Sequence, residues 1–343
     1  MSSQTEEIVE ELSEKELAPV NSTPPKPASE NILAGTLMGF TAAVGYAIAI
    51  MVLRHLADND SITWAMWISC VKAIPAAAVA VALGLYWQRH GKPFFPPVRY
   101  TVMILTSGLF MQFGSNVGFQ WALSKTGMAI SVPVSYASML LLSAWMGRVQ
   151  LGEVITMRSA IAMAILLVAI GLLSGGASNA RSDINELNVT TLALAIGAAL
   201  VAGGGWAWTG IVIRQAVTDN VTVAATIFLF SMSGVIGLGL TILLSTGMEY
   251  PTTTTNEQYS WMFLAGSFNA LAFFMLTAAL KYITVLRTNL INASQIAMTT
   301  VAGVVLFQET GSSFMVFGTL LTIVGLFTIG RSKEEAKQSE SDV

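Results

Sequence analysis

Residues 32–53 read ILAGTLMGFTAAVGYAIAIMVL, a run of 22 positions without a charged side chain. About 20 consecutive apolar residues suffice for an α-helix to cross the hydrocarbon core of a bilayer. Because backbone amides in lipid must form their hydrogen bonds within the segment, such a run folds as a helix. The stretch therefore predicts the first membrane-spanning helix.

Similar apolar blocks recur along the rest of the chain. Hydrophobic residues make up 54% of the 343 positions and charged residues only 11%, whereas soluble domains contain about 25% charged residues. The sequence predicts an all-α integral membrane protein with ten transmembrane helices. The ten blocks lie near residues 32–53, 61–87, 98–123, 127–147, 154–175, 189–213, 221–246, 259–280, 284–307 and 312–330.

The ends of the chain differ in composition from the apolar blocks. Residues 1–30 are acidic and rich in proline, so we expect a disordered tail, and residues 332–343 are expected to form a second one. Thirteen lysines and arginines fall on the side of the membrane that holds both tails, and three fall on the other side. Since basic residues accumulate in cytoplasmic loops, both termini are predicted to be cytoplasmic, and the protein to be integral to the cell (inner) membrane.

Several functional classes are disfavoured by composition. The net charge of −3 and the lack of a basic patch argue against a nucleic-acid partner. Cys70 is the only cysteine, and the two histidines lie on different loops, so no disulfide, metal site or cofactor is expected. No nucleophile with a plausible base lies at membrane depth, so the chain is not expected to be an enzyme.

The two halves of the chain share short landmarks in the same order. Because each half holds five predicted helices, and five is odd, the second half would enter the membrane in the opposite orientation. The prediction is two inverted five-helix repeats, residues 31–176 and 189–331, joined by a linker at 177–188; secondary transporters commonly have such repeats. The matched landmarks are Gly-Tyr-Ala at 45–47 with Gly-Trp-Ala at 205–207, Arg54 with Arg214, Ala-Leu at 122–123 with Ala-Leu at 279–280, and Glu153 with Glu309.

These landmarks resemble a known family. The run Ala-Leu-Lys-Tyr-Ile-Thr at 279–284, followed by a polar span and then Gln308 and Glu309, is similar to the signature of EamA-type domains. Two such domains in tandem are typical of the drug/metabolite transporter superfamily. Pro133 in the fourth span and a basic residue in the second, here Lys72, also fit, whereas Asn289 stands where the family usually has proline. The resemblance implies gradient-driven transport of amino acids, metabolites or drugs without ATP hydrolysis.

Polar side chains inside the predicted spans mark a candidate site. Lys72 lies about halfway along the second span, where an ionised group costs at least about 2.5 kcal/mol by insertion scales. It is predicted to contact an anionic group of the substrate, although a lysine that snorkels to the interface remains the alternative. Amides recur along the third, eighth and ninth spans and suit a polar ligand, but they also serve as links between helices. The predicted substrate-binding residues are Lys72, Gln112, Asn116, Asn269, Asn292 and Gln295.

Three aromatic residues are candidates for a gate or cavity wall, namely Tyr46, Trp64 and Trp206. Tyr46 and Trp206 are equivalent in the two repeats, so one would lie towards each side of the membrane. The alternative is an aromatic belt at the membrane interface. Glu153, at the end of the fourth span, is expected to cap a helix or to pair with a nearby arginine such as Arg148 or Arg158.

The sequence thus predicts a secondary transporter that moves a small polar metabolite, an amino acid or related organic solute, by alternating access, with export as the expected direction. Its partners would be the small-molecule substrate and the lipid bilayer, and homodimer formation is left open. Two alternatives remain: a structural or assembly membrane protein without transport, and an exchanger of sugar phosphates or nucleotide sugars. The exchanger would require several buried basic residues.

Overall fold

The computed structural model describes residues 32–53, 56, 61–91, 93–126, 128–178, 188–307 and 312–330. These residues form helices and connecting turns without a β-strand, which confirms the all-α class. Both predicted tails, and most of the predicted linker at 177–188, lie outside the described residues.

Twelve helices follow one another along the described part of the chain. Each predicted apolar block coincides with a helix, and the ninth block with two helices in line. In chain order they are α1 (Ile32–Leu53), α2 (Ile62–Arg89), α3 (Val98–Thr126), α4 (Met128–Leu151), α5 (Met157–Ser178), α6 (Val189–Thr218), α7 (Val223–Thr246), the short α8 (Glu249–Thr253), α9 (Asn256–Ala279), α10 (Val285–Asn292), α11 (Ser294–Phe307) and α12 (Ser313–Gly330).

Six of these helices are long and apolar enough to cross a membrane, judged by length and composition over the described residues. They are α1, α2, α3, α6, α7 and α9, and the stretches Met157–Leu173 and Ser313–Thr328 are shorter apolar helices. The expectation of ten crossings therefore stays a prediction. Some helices run past the predicted block, as α6 does to Thr218, because a helix continues through polar residues after the apolar run has ended.

Three helices are irregular near their middle. α3 and α7 each contain a π-helical segment, Met111–Val117 and Ser233–Leu238, and the two segments contact each other. Pro75 lies inside α2, where it removes one backbone hydrogen bond. π-helical turns inside α-helices occur frequently at functional sites. The contact between α3 and α7 is therefore a candidate functional region.

Helix contacts repeat when the two halves are exchanged. α1 packs along α9 as α6 packs along α3, and α4 packs on α6 as α10 and α11 pack on α1. Gly45 faces Ala272, and its equivalent Gly205 faces Ser115. Positions 115 and 272 differ by 157, the offset that also separates Ala122 from Ala279. This pattern favours the inverted repeat, which remains a prediction.

Candidate functional site

A chain of hydrogen bonds joins three of the predicted site residues across the two halves. The indole Nε1 of Trp206 on α6 donates to Asn116 Oδ1 at 3.4 Å. Asn116 Nδ2 then donates to Gln112 Oε1 at 2.8 Å, and Gln112 Nε2 donates to the carbonyl of Phe230 on α7 at 3.2 Å. Gln112 and Asn116 belong to the first half, whereas Trp206 and Phe230 belong to the second. The third-span amides therefore connect α3 to two helices of the other half.

The amide side chains of this hydrogen-bonded chain lie in the π-helical segment of α3, and that of Gln112 contacts the π-helical segment of α7. Gln112 and Asn116 both lie in the π segment of α3. The Gln112 side chain packs over Gly234 in the π segment of α7, where a Cβ would lie 2.6 Å from Gln112 Nε2. Because Gly234 has no side chain, the amide of Gln112 can reach the backbone of α7.

Aromatic rings surround Trp206 at the same depth. Its ring centroid lies 5.2 Å from that of Phe119 on α3 and 6.4 Å from that of Tyr136 on α4. Tyr136 is buried, whereas Tyr46 and Trp206 are partly buried. The predicted wall residues Tyr46 and Trp206 both pack against the apolar cluster that contains Phe230 and Phe273.

Lys72 is buried in the middle of α2, with 8% of its surface exposed. Its side chain has no hydrogen-bond or ion-pair partner among the residues that the structure describes. Its backbone packs on Gly266 of α9, where a Cβ would lie 2.7 Å from the Lys72 carbonyl oxygen. Asn269, which is half-buried, follows Gly266 by three residues and hence lies one turn along the same helix face.

The ninth-span amides lie where α10 ends and α11 begins. Gln295 Nε2 donates to the backbone carbonyl of Asn292 at 2.9 Å, and both residues are buried. Within the described structure, Asn292 Oδ1 and Ser294 Oγ have no hydrogen-bond partner. Buried polar atoms without partners are uncommon in proteins, so this junction can still accept hydrogen bonds from a ligand or from water.

Trp64 lies near the end of the bundle where α2 begins, which we call the Trp64 end. Its Nε1 donates to the Leu56 carbonyl at 3.1 Å, and its ring lies 5.6 Å from that of Tyr250 on α8. It also lines a pocket together with Ile68 and Gln120. Lys72 follows Ile68 by one turn of α2, and Asn116 precedes Gln120 by one turn of α3. Two residues that line the pocket therefore lie one helical turn from Lys72 and Asn116.

Glu153 lies at the opposite end of the bundle, just after α4, and we call this the Glu153 end. Its carboxylate oxygens accept the backbone N–H of Val285, the first residue of α10, at 3.1 and 3.2 Å. Arg214 Nε on α6 lies 3.8 Å from Glu153 Oε1, and Arg214 Nη1 donates to the Leu280 carbonyl. Glu153 thus caps a helix and pairs with Arg214, while its predicted pairing with Arg148 or Arg158 stays a prediction. The sequence marked both Glu153 and Arg214 as landmarks without indicating that they meet.

The predicted site residues form separate groups. Gln112, Asn116 and Trp206 are joined by hydrogen bonds, and Asn292 and Gln295 are joined to each other. Among the described residues, no hydrogen bond links the two groups, although Trp206 packs against the apolar cluster that contains Ala293 at the α10–α11 junction. A single cavity lined by all of them remains a prediction.

Replacing Asn116 by leucine should destabilise the fold by about 1–2 kcal/mol. The Trp206 indole would lose its acceptor, and Gln112 Oε1 would lose its donor, in a partly buried place where water cannot substitute fully. Thermal unfolding in detergent measures the effect. The matched control is Gln120→Leu, one turn along the same helix, for which the structure describes no hydrogen bond; equal losses in both variants would contradict the prediction.

Comparison with known proteins agrees with this fold. The model of the EamA-like transporter family matches residues 192–331, which confirms the expected resemblance to the drug/metabolite transporter superfamily. With the apolar helices, this match indicates a membrane transporter that acts on small molecules in a lipid environment. No curated protein matches the chain.

Solved structures show the same architecture. Twenty-eight chains match, and one of them, described only as "Crystal structure of protein", aligns with a TM-score of 0.68 at 16% identity. The alignment covers 86% of this chain and 96% of that one. At this identity the similarity concerns the fold alone.

Proposed function

We propose that this protein is a secondary transporter that exports a small polar metabolite carrying a carboxylate, such as an amino acid, by alternating access. Lys72 would bind the carboxylate, and the amides of Gln112, Asn116 and Asn269 would orient the rest of the solute. Asn292 and Gln295 would contribute from the other side of the cavity. Tyr46, Trp64 and Trp206 would form its walls.

The burial of Lys72 carries the proposal. A lysine at the centre of a span costs about 2.5–3.5 kcal/mol by insertion scales. With 8% exposure and no partner among the described residues, Lys72 receives little compensation from the protein. A carboxylate from the substrate would supply the missing charge. The snorkelling alternative is disfavoured because Lys72 packs in the middle of α2 against Gly266, far from either helix end.

The position of the amides supports movement between the halves. The link from Trp206 through Asn116 and Gln112 to Phe230 crosses the boundary between the halves twice. Transporters of inverted-repeat architecture bind their substrate near the midplane, where the repeats meet. An amide side chain both donates and accepts hydrogen bonds. These side chains can therefore replace the hydrogen bonds between them by hydrogen bonds to a solute.

The structure gives no added support to an exchanger of phosphorylated substrates. Besides Lys72, two more buried cations are described, Arg214 and Arg287. Arg214 contacts Glu153 and the Leu280 carbonyl, and Arg287 contacts Thr36 Oγ1 at 3.4 Å. Both arginines contact protein groups at the Glu153 end, whereas no protein partner of the Lys72 side chain is described.

The proposed location is the cell (inner) membrane with both termini in the cytoplasm. The described arginines at span ends support it, because Arg89, Arg99, Arg148 and Arg158 flank helices at the Glu153 end. Basic residues accumulate on the cytoplasmic side of a membrane protein, so the Glu153 end would face the cytoplasm and the Trp64 end the exterior.

A metabolite screen tests the proposal. The media of cells that overexpress the protein and of cells with an empty vector are compared by mass spectrometry. The expected result is accumulation of one or a few carboxylate-bearing solutes outside the overexpressing cells. Identical profiles, with correctly inserted protein, would support the structural or assembly role, whereas accumulation of phosphorylated sugars would support the exchanger.

A further inference from the structure

Glu153 joins three helices at one end of the bundle. It follows α4, its carboxylate accepts the first N–H of α10, and its Oε1 lies 3.8 Å from Arg214 Nε on α6. The two side chains are 11% and 9% exposed. A carboxylate at a helix N-terminus interacts favourably with the helix dipole, and partial burial strengthens the ion pair by reducing solvent screening.

The helix whose first N–H Glu153 accepts also carries Asn292, one of the predicted site residues. α10 has eight residues, with Val285 at its start and Asn292 at its end. At about 1.5 Å per residue, the two ends lie roughly 10 Å apart. Every residue of α10 is buried. We expect such a short buried helix to move as one rigid unit, so a displacement of Asn292 would also displace Val285.

We propose that Glu153 and Arg214 form a latch that closes the Glu153 end of the bundle, and that α10 connects this latch to the substrate site. The inference rests on the proposed function, since it assigns a gate to the same transport path. Glu153 and Arg214 are positioning residues: they hold α10 against α4 and α6 and do not contact the solute.

The latch explains an asymmetry between the two ends. At the Trp64 end, the structure describes a pocket lined by Trp64, Ile68 and Gln120, and Ile68 lies one turn of α2 from Lys72. At the Glu153 end, the ion pair and the two contacts to the Val285 N–H join both halves. Opening this end requires α10 to separate from α4 and α6, which breaks all these contacts together. The described state is therefore closed at the Glu153 end.

Cysteine labelling tests the latch without knowledge of the substrate. Cys70 is the only cysteine, so Cys70→Ala gives a background free of thiols. Thr288 lies one turn into α10 and is 1% exposed, and Thr288→Cys places a reporter thiol behind the latch. The rate of its reaction with N-ethylmaleimide is measured on purified protein in lipid nanodiscs. Adding Glu153→Ala should raise this rate on the order of tenfold or more, because the change leaves Arg214 without its carboxylate.

Two controls separate a latch from general loosening. Asp219→Asn removes an exposed carboxylate at the same end, which accepts a hydrogen bond from Tyr100, and should leave the rate unchanged. Thr322→Cys is a second reporter, 2% exposed on α12. Its rate should not change in the Glu153→Ala protein, whereas equal acceleration of both reporters would overturn the proposal.

The labelling result stands apart from the transport result. If Glu153→Ala yields no folded protein, Arg214→Met breaks the ion pair but keeps the Val285 contacts, and should accelerate labelling at position 288 by a smaller factor. An unchanged rate at position 288 in folded protein would refute the latch even if export is observed. Faster labelling without export of any metabolite would keep the latch and refute the proposed function.

Discussion

Lys72→Ala is expected to abolish transport while the protein still reaches the membrane in normal amounts. The ammonium of Lys72 supplies the buried positive charge that we assign to the substrate carboxylate. A hydrogen bond to a charged group contributes about 1.5–3 kcal/mol, so its loss should lower the transport rate at least about tenfold. Uptake of the exported metabolite into inside-out vesicles measures the rate, and quantitative blotting of the membrane fraction measures expression.

Two further variants distinguish a binding role from a structural one. Lys72→Met keeps most of the apolar length of the side chain without its charge, and should lose transport while its melting temperature stays equal or rises, because a costly buried charge is gone. Lys281→Ala removes an exposed lysine at the end of a helix and should leave transport unchanged. Unaltered transport by Lys72→Ala would remove this residue from the site, and a lower melting temperature of Lys72→Met would favour a structural role.

The helices could be predicted from the sequence because lipid leaves the backbone few alternatives. An apolar run such as residues 32–53 has to be helical in a bilayer, and α1 spans Ile32–Leu53. The residues at which helices end were harder to predict. α6 continues beyond the apolar block to Thr218, through polar residues that an apolar run does not mark as helical. The number of membrane crossings follows less directly from the sequence. Ten crossings were predicted, and six of the described helices are long and apolar enough to cross a membrane.

From the sequence, the arrangement of the candidate site residues could be predicted only within single helices. Helical spacing placed Gln112, Asn116 and Gln120 on one face of α3, and two of these amides are hydrogen-bonded to each other. The acceptor on α7, the Phe230 carbonyl, could not be predicted, because a backbone atom has no signature in the sequence. The π segment that brings Gln112 over Gly234 depends on the packing of α3 against α7.

The meeting of Glu153 with Arg214 shows the same limit. Both residues were recognised as repeat landmarks, but the partners predicted for Glu153, Arg148 and Arg158, were its neighbours along the chain. The contact requires that α4 and α6 pack together and that α10 starts beside them. Glu153 is separated from Val285 by 132 positions. Such a contact depends on the arrangement of the halves, which local spacing does not specify.

Gly203→Val is expected to have the largest effect on folding. Gly203 of α6 lies against α4, where a Cβ would overlap the Ser135 carbonyl oxygen and lie 2.8 Å from Ser138 Cβ and 2.9 Å from the Met139 nitrogen. Backbone atoms of a helix cannot move aside as the end of a side chain can. Ser138 Oγ also donates to the Leu200 carbonyl at 2.8 Å across this contact. Overpacking here should cost roughly 3 kcal/mol or more, seen as loss of protein from the membrane fraction or a strongly lowered melting temperature.

The same helix offers a matched control that also decides between two roles of the glycine. Gly197 lies six residues earlier on α6, and among the described residues no atom outside its own helix backbone would lie within 4 Å of a Cβ added there. Gly197→Ala should be neutral or stabilising, because alanine favours a helix over glycine by about 0.5–1 kcal/mol. Gly203→Ala should instead destabilise, since close helix packing in membranes depends on small residues. If Gly203→Ala kept its melting temperature but transported more slowly, Gly203 would act as a hinge between two states and not as a packing residue.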